Sequence, residues 1–103
     1  MNETKDYRTL KEFYPFYLRE HSNRVCRRLH FAGTSIALIL LIMAFVIPMW
    51  WLAALALIQG YAFAWAGHFF FEHNRPATFK YPWLSFLGDW RMWWGMLTGK
   101  VRF

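Results

Sequence analysis

Four histidines, His21, His30, His68 and His73, are the side chains of this sequence best suited to chemistry. Imidazole is the commonest protein ligand for transition metals and titrates closest to neutral pH. Two of the four stand almost symmetrically about Pro48, His30 lying 18 residues before it and His68 lying 20 after it. If Pro48 turns a helical hairpin, a rise of about 1.5 Å per residue brings both imidazoles to nearly the same level on antiparallel helices. His68 and Glu72 are four residues apart and share a helix face, so both can reach one ion. Asn23 and His30, seven apart, share a face of the first helix, with Arg27 between them. His21 lies nine residues before His30, about half a turn out of phase, and joins it only if the chain bends between them. His73 points away from His68 on a regular helix, and Asp89 belongs to a later segment that can fold back beneath the hairpin.

Histidine combined with carboxylate suits Fe(II), Mn or Zn and differs from a thiolate-rich zinc site. Two or three histidines with one glutamate resemble non-haem iron centres, which keep positions open for oxygen. On this reading His30, His68, Glu72 and, given a bend, His21 are metal ligands, and Glu72 and Asn23 are the candidate catalytic side chains. Arg27, Arg28 and Arg75 are the candidate substrate-binding residues: with Arg24 they lie at the same level and can hold a carboxylate head while its acyl tail lies in lipid. An acidic lipid entering from the bilayer is the implied substrate class. Cys26, the single cysteine, excludes an internal disulfide and reads as a packing residue.

Such a site needs two long helices to position it. Residues 29–71 contain no Lys, Arg, Asp or Glu. A bilayer crossing takes about 20 apolar residues, so this run fits two crossings and a tight turn. The 103 residues are 57% hydrophobic, 22% aromatic and 17% charged, which argues against a soluble domain and, through the aromatic load, against disorder. The net charge of +6 gathers at both ends of the run. Lys and Arg on both flanks of an apolar hairpin place both termini in the cytoplasm by the positive-inside rule. They match anionic membrane lipids as partners, not nucleic acid. The expected protein is integral and multi-pass, with homo-oligomers compatible. The mixed charge of its first residues and the late start of the apolar run, near Leu29, argue that the first span is retained as an anchor and not cleaved.

The expected fold is an all-α membrane protein: one domain over residues 1–103, built as a two-span transmembrane hairpin with cytoplasmic-side amphipathic or interfacial helices at both ends. Amphipathic segment 7–32 alternates charged and aromatic residues, with Pro15 separating two helices or sitting in a first turn. Spans follow at 33–47 and 50–71, joined at Pro48 with Trp50 and Trp51 at the far interface. Gly60, Gly67 and the alanines between them give the second span a small-residue surface for close packing. Residues 74–82, with Pro76 and Pro82, read as a loop, and the Trp-rich stretch 83–98 as an interfacial helix.

The strings His21-Ser22-Asn23, Arg27-Arg28-Leu29-His30-Phe31-x-Gly33-Thr34 and Gly67-His68-Phe69-x-x-Glu72-x-Asn74-x-Pro76-Ala77 resemble a widespread family of small membrane proteins, long catalogued as a domain of unknown function. Its characterised fungal member, named for metabolism of phytosphingosine to odd-numbered fatty acids, is an iron-dependent dioxygenase that shortens 2-hydroxy fatty acids by one carbon. The resemblance implies metal roles for His21, His30 and His68, Glu72 as ligand or outer support, Fe2+ or another divalent metal as cofactor, and a 2-hydroxy fatty acid as substrate. Two rival readings are a non-catalytic lipid-binding or assembly module with structural histidines, and a membrane anchor holding haem between His30 and His68.

Overall fold

The computed structural model describes residues 7–103, and the regular structure among them is entirely helical. Four α-helices follow one another: α1 (Leu10–Arg19), α2 (Arg24–Val46), α3 (Trp51–Gly67) and α4 (Pro82–Leu97). A π turn, His68–Glu72, prolongs α3, and a 3-10 turn, Ala77–Phe79, interrupts the loop before α4.

α2 and α3 form the hairpin. The first is stopped by Pro48, which cannot extend the backbone hydrogen-bond ladder. α2 and the α3 run through Glu72 are both long and apolar enough to cross a membrane. Ile39, Ile42 and Phe45 of α2 and Ile58 of α3 are exposed, an apolar surface suited to lipid and not to water. α4, at 16 residues, is shorter than a span.

Segment 7–32 divides at residues 20–23. Thr9 caps α1 by accepting the Glu12 N–H at 3.2 Å. Asn23 caps α2, its Oδ1 accepting from Val25 N at 2.8 Å and Cys26 N at 3.1 Å. From that cap the helix runs unbroken into the span. Pro15 lies inside α1 and divides nothing. The N–H it lacks would have paired with the carbonyl of Lys11, and both residues are exposed, so water can serve that oxygen.

The hairpin is held by close backbone approach. A Cβ on Gly33 would stand 2.9 Å from Phe63 Cβ and 3.3 Å from the Gly60 carbonyl oxygen, and one on Gly67 would stand 2.8 Å from Cys26 Sγ. Seven residues separate Cys26 from Gly33, and seven separate Gly60 from Gly67, so the two contacts are successive layers of one antiparallel register. Gln59 spans the upper layer, its Nε2 donating to the Gly33 carbonyl at 2.8 Å. A cluster of buried hydrophobic side chains lies outside the hairpin. Phe13 and Tyr17 of α1 pack there on Met92 and Met96 of α4. Trp93 of α4 ties this layer to α2 by donating to Ser35 Oγ at 2.9 Å.

The register makes a directional prediction. Gly33→Ala forces the helices apart and should cost about 1–3 kcal/mol, as overpacked sites do. Gly60→Ala should be nearly neutral, because a Cβ there meets only the Gly33 carbonyl oxygen at 3.9 Å. Unfolding midpoints of the detergent-purified variants check both.

Candidate metal centre

Three histidines from three elements meet at the open end of the hairpin. His30 comes from α2, His68 opens the π turn, and His21 arrives from the bend between α1 and α2. All three are buried. Their ring centroids are 4.3 Å (His21–His30), 4.5 Å (His21–His68) and 5.0 Å (His30–His68) apart. The expected common level of His30 and His68 is present, and the bend that His21 requires is supplied by residues 20–23.

The hydrogen bonds around the rings decide what the cluster is. His21 Nδ1 lies 2.6 Å from the Tyr17 carbonyl oxygen, and His30 Nδ1 lies 2.9 Å from the Cys26 carbonyl oxygen. His68 Nδ1 lies 2.7 Å from Asn74 Oδ1. The orientation of that amide is set by its other end, where Nδ2 donates to the Glu20 carbonyl at 3.2 Å and to Glu20 Oε1 at 3.3 Å. Each Nδ1 therefore faces an oxygen that only accepts, so each ring carries its proton there. The three Nε2 lone pairs are left facing inward, with His21 Nε2 2.9 Å from His30 Nε2 and 3.0 Å from His68 Nε2. Without a proton between them these atoms repel. A divalent cation removes the repulsion: nitrogen donors about 2.1 Å from an ion and at right angles lie about 3 Å apart. Imidazoles whose outer N–H is held by an oxygen are the usual form of metal-bound histidine. Burial, reinforced by the two neighbouring imidazoles, holds His21 well below the ordinary histidine pKa, so its ring is neutral at pH 7.

Cys26 completes a group whose potential ligand atoms all lie within 4.8 Å of one another. Its sulfur is 3.8 Å from His30 Nδ1, on the outer side of that ring. Cys26 and His30 are four residues apart on one helix face, a spacing that could have marked the cysteine as a neighbour of the site. Asn74 was likewise legible only as part of a motif, because its partner His68 is reached through a chain reversal. His73 makes that reversal in the left-handed conformation, with φ 60°.

Glu72 and Asn23 are placed elsewhere. The first turn of α2 contains no acidic residue, and Glu72 reaches its N-terminus from the π turn. One carboxylate oxygen accepts the Asn23 N–H and the other accepts from Ser22 Oγ at 3.3 Å. A carboxylate at a helix N-terminus is favoured by both the unpaired N–H groups and the helix dipole. Glu72 thus clamps the segment carrying His68 to the start of the helix carrying His30. Asn23, besides its cap, donates through Nδ2 to the Phe71 carbonyl at 3.4 Å.

The arginines divide. Arg27 Nη1 donates to the His21 and Ser22 carbonyls at 3.0 and 2.8 Å, holding the bend, while its Nε reaches the Arg102 carbonyl at 2.9 Å. Arg28 Nε donates to the Phe103 carbonyl oxygen at 3.2 Å, and its guanidinium lies over the Phe103 ring. Arg75 is exposed. Asp89 accepts a hydrogen bond from the Tyr17 hydroxyl and lines a cavity together with residues of α2 and α3. Burial pushes its carboxyl up to about 7, against the pull of that bond.

An apolar cavity of about 200 Å³ opens beside the cluster. His30 and Asp89 line its polar end, and Ala37, Leu41, Ala53 and Ala56 its far end between α2 and α3. The rival haem reading lacks the space it needs, because the His30 and His68 ring centroids are only 5.0 Å apart, too close for an iron bonded to both, and His21 packs against both rings.

Purified protein should take up a divalent transition metal, as read by elemental analysis, and His30→Ala or His68→Ala should abolish uptake. Asn74→Ala, which removes only an outer partner, should weaken binding by about 10–100-fold. Glu72→Gln should weaken it less, keeping one acceptor at the helix end. Acidification should release the metal, since protons compete for the same Nε2 lone pairs.

Curated proteins and solved structures each return no significant match to this chain. A protein-family model described as "2-hydroxy-palmitic acid dioxygenase Mpo1-like" matches residues 7–101, a range that includes α1 to α4 and every member of the histidine cluster. The chain belongs to the Mpo1-like family.

Proposed function

We propose that this protein is a membrane-embedded, iron-dependent enzyme that oxidises 2-hydroxy fatty acids with loss of one carbon. The observation that carries the reading is the convergence of three neutral Nε2 donors at the polar end of an apolar cavity. Family membership supports the substrate class. His21, His30 and His68 would hold Fe2+, which supplies the one-electron chemistry that lets O2 react with a closed-shell acid.

The residues set the terms of binding. Three neutral imidazoles leave the double positive charge of an ion uncompensated, which favours an anionic carboxylate as a further ligand. His30 belongs to both the cluster and the cavity wall, so a carboxylate drawn to the cluster leaves its alkyl tail facing Thr34, Ala37 and Leu41. From His30 to Leu41 the helix rises about 16 Å, and this length of wall is mostly apolar. Glu72 and Asn23 act through position, keeping the π turn against α2. The overall reaction balances without an external reductant: a 2-hydroxy acid and O2 give the acid one carbon shorter, CO2 and water. The cationic flanks support a topology with both chain ends in the cytoplasm, which would set the cluster at the cytoplasmic edge of the bilayer.

The test is protein loaded anaerobically with Fe2+ and then given 2-hydroxypalmitate and oxygen. The expected products are CO2 and the acid one carbon shorter than the substrate. Both should be lost in His68→Ala. An iron-replete protein that leaves the substrate unchanged would sink the catalytic reading in favour of a non-catalytic module.

A further inference from the structure

The cavity beside the histidine cluster contains one acid. Asp89 enters it from α4, opposite the α2 wall formed by His30, Thr34 and Ala37. Its Oδ1 accepts the Tyr17 hydroxyl, while its second carboxylate oxygen takes no hydrogen bond from the described residues. Tyr17 is rigidly held. It is 1% exposed, its ring stacks on His21 with centroids 4.1 Å apart, and its other face meets Gly88, where a Cβ would come within 3.0 Å of the ring. The carboxylate is thus fixed between the tyrosine and the cavity with one oxygen left to satisfy.

What could satisfy it is chemically narrow. Asp89 is half-buried and its free oxygen is open to water, but once an acyl chain displaces that water an acceptor without a donor is costly, and carboxylates are the most demanding acceptors. A saturated alkyl chain offers no donor. The carboxylate head of a fatty acid offers none either and is repelled by a second carboxylate. A hydroxyl on the carbon next to that head supplies the missing donor and is placed between the cluster and the tail.

We propose that Asp89 recognises the substrate's 2-hydroxyl, accepting its O–H, and that Tyr17 is the positioning residue that holds Asp89 for this purpose. The proposal rests on the reading of the substrate as a 2-hydroxy fatty acid and explains how the cavity tells that acid from an unsubstituted one. A site built around a substrate hydroxyl rejects the analogue lacking it far more strongly than an apolar pocket discriminates by size.

The experiment uses the full chain in detergent at pH 8, loaded with redox-inert Zn2+ in place of iron, and measures displacement of a fluorescent fatty acid by 2-hydroxypalmitate and by palmitate. Wild type should prefer the hydroxy acid by about tenfold or more. Asp89→Ala should erase the preference while binding palmitate at least as well, since the repelling carboxylate is gone. Tyr17→Phe, which retains the carbonyl that holds His21, should reduce the preference without weakening palmitate. Asp89→Asn, nearly identical in shape, should lower the preference several-fold, and it serves if the alanine variant does not fold. A wild type with no preference, or an Asp89→Ala or Asp89→Asn variant that keeps the wild-type preference, overturns the assignment. Iron content is measured on the same variants and should match wild type; a parallel loss of iron would assign Asp89 to the metal site and overturn the proposal. Because the displacement assay needs neither iron nor turnover, its outcome is separate from that of the oxidation test above.

Discussion

Neutral imidazole carries one proton and one lone pair, and where the proton goes fixes where the lone pair points. In this protein the backbone carbonyls of Tyr17 and Cys26 and the side-chain oxygen of Asn74 each claim the proton on Nδ1. Three Nε2 lone pairs must then converge within a space that none of them can leave. Much of the local architecture follows from keeping that arrangement in place. The bend at residues 20–23 exists to return His21 over His30, and Arg27 holds it through two carbonyls. The π turn, a form that recurs at functional sites, carries His68 and ends in the reversal that delivers Asn74 to the same ring.

The helix packing serves the same end. His30 follows Cys26 by one turn, and Cys26 is the residue against which Gly67 packs, immediately before His68. Close approach at this layer therefore sets the distance between the two imidazoles. The Glu72 carboxylate at the start of α2 fixes the same junction from outside. Below the hairpin, the aromatic and methionine core between α1 and α4 supports Tyr17, whose carbonyl holds His21 and whose hydroxyl holds Asp89. One tyrosine thereby joins the histidine cluster to the wall of the apolar cavity.

Much of this was legible in the residues. The uncharged run 29–71 announced two apolar helices, and the near-symmetry of His30 and His68 about Pro48 announced that they meet. Small residues at positions 60 and 67 indicated close packing. The hydrogen bonds of Glu72 to Asn23 and Ser22 were not legible, for a definite reason. On a regular helix Glu72 shares a face with His68, but the π turn alters the rotation per residue, and the bare N-terminus of α2 offers the carboxylate unpaired N–H groups. Asn23 and the arginines were read by level and face, whereas their nearest partners are backbone groups, which sequence periodicity does not display.

The sequence by itself determined the helical class, the two apolar helices and the level at which His30 and His68 face each other, because these follow from apolar length, a proline stop and a constant rise per residue. The tertiary structure alone decided the bend that brings His21 to the other two rings, the place of Cys26 beside them, and the hydrogen bond by which Tyr17 holds Asp89 in a cavity wall. Those facts depend on where the chain bends between α1 and α2, on one wide turn, and on how α4 folds back. Each is settled by hydrogen bonds and packing between segments far apart in sequence, which no local spacing encodes.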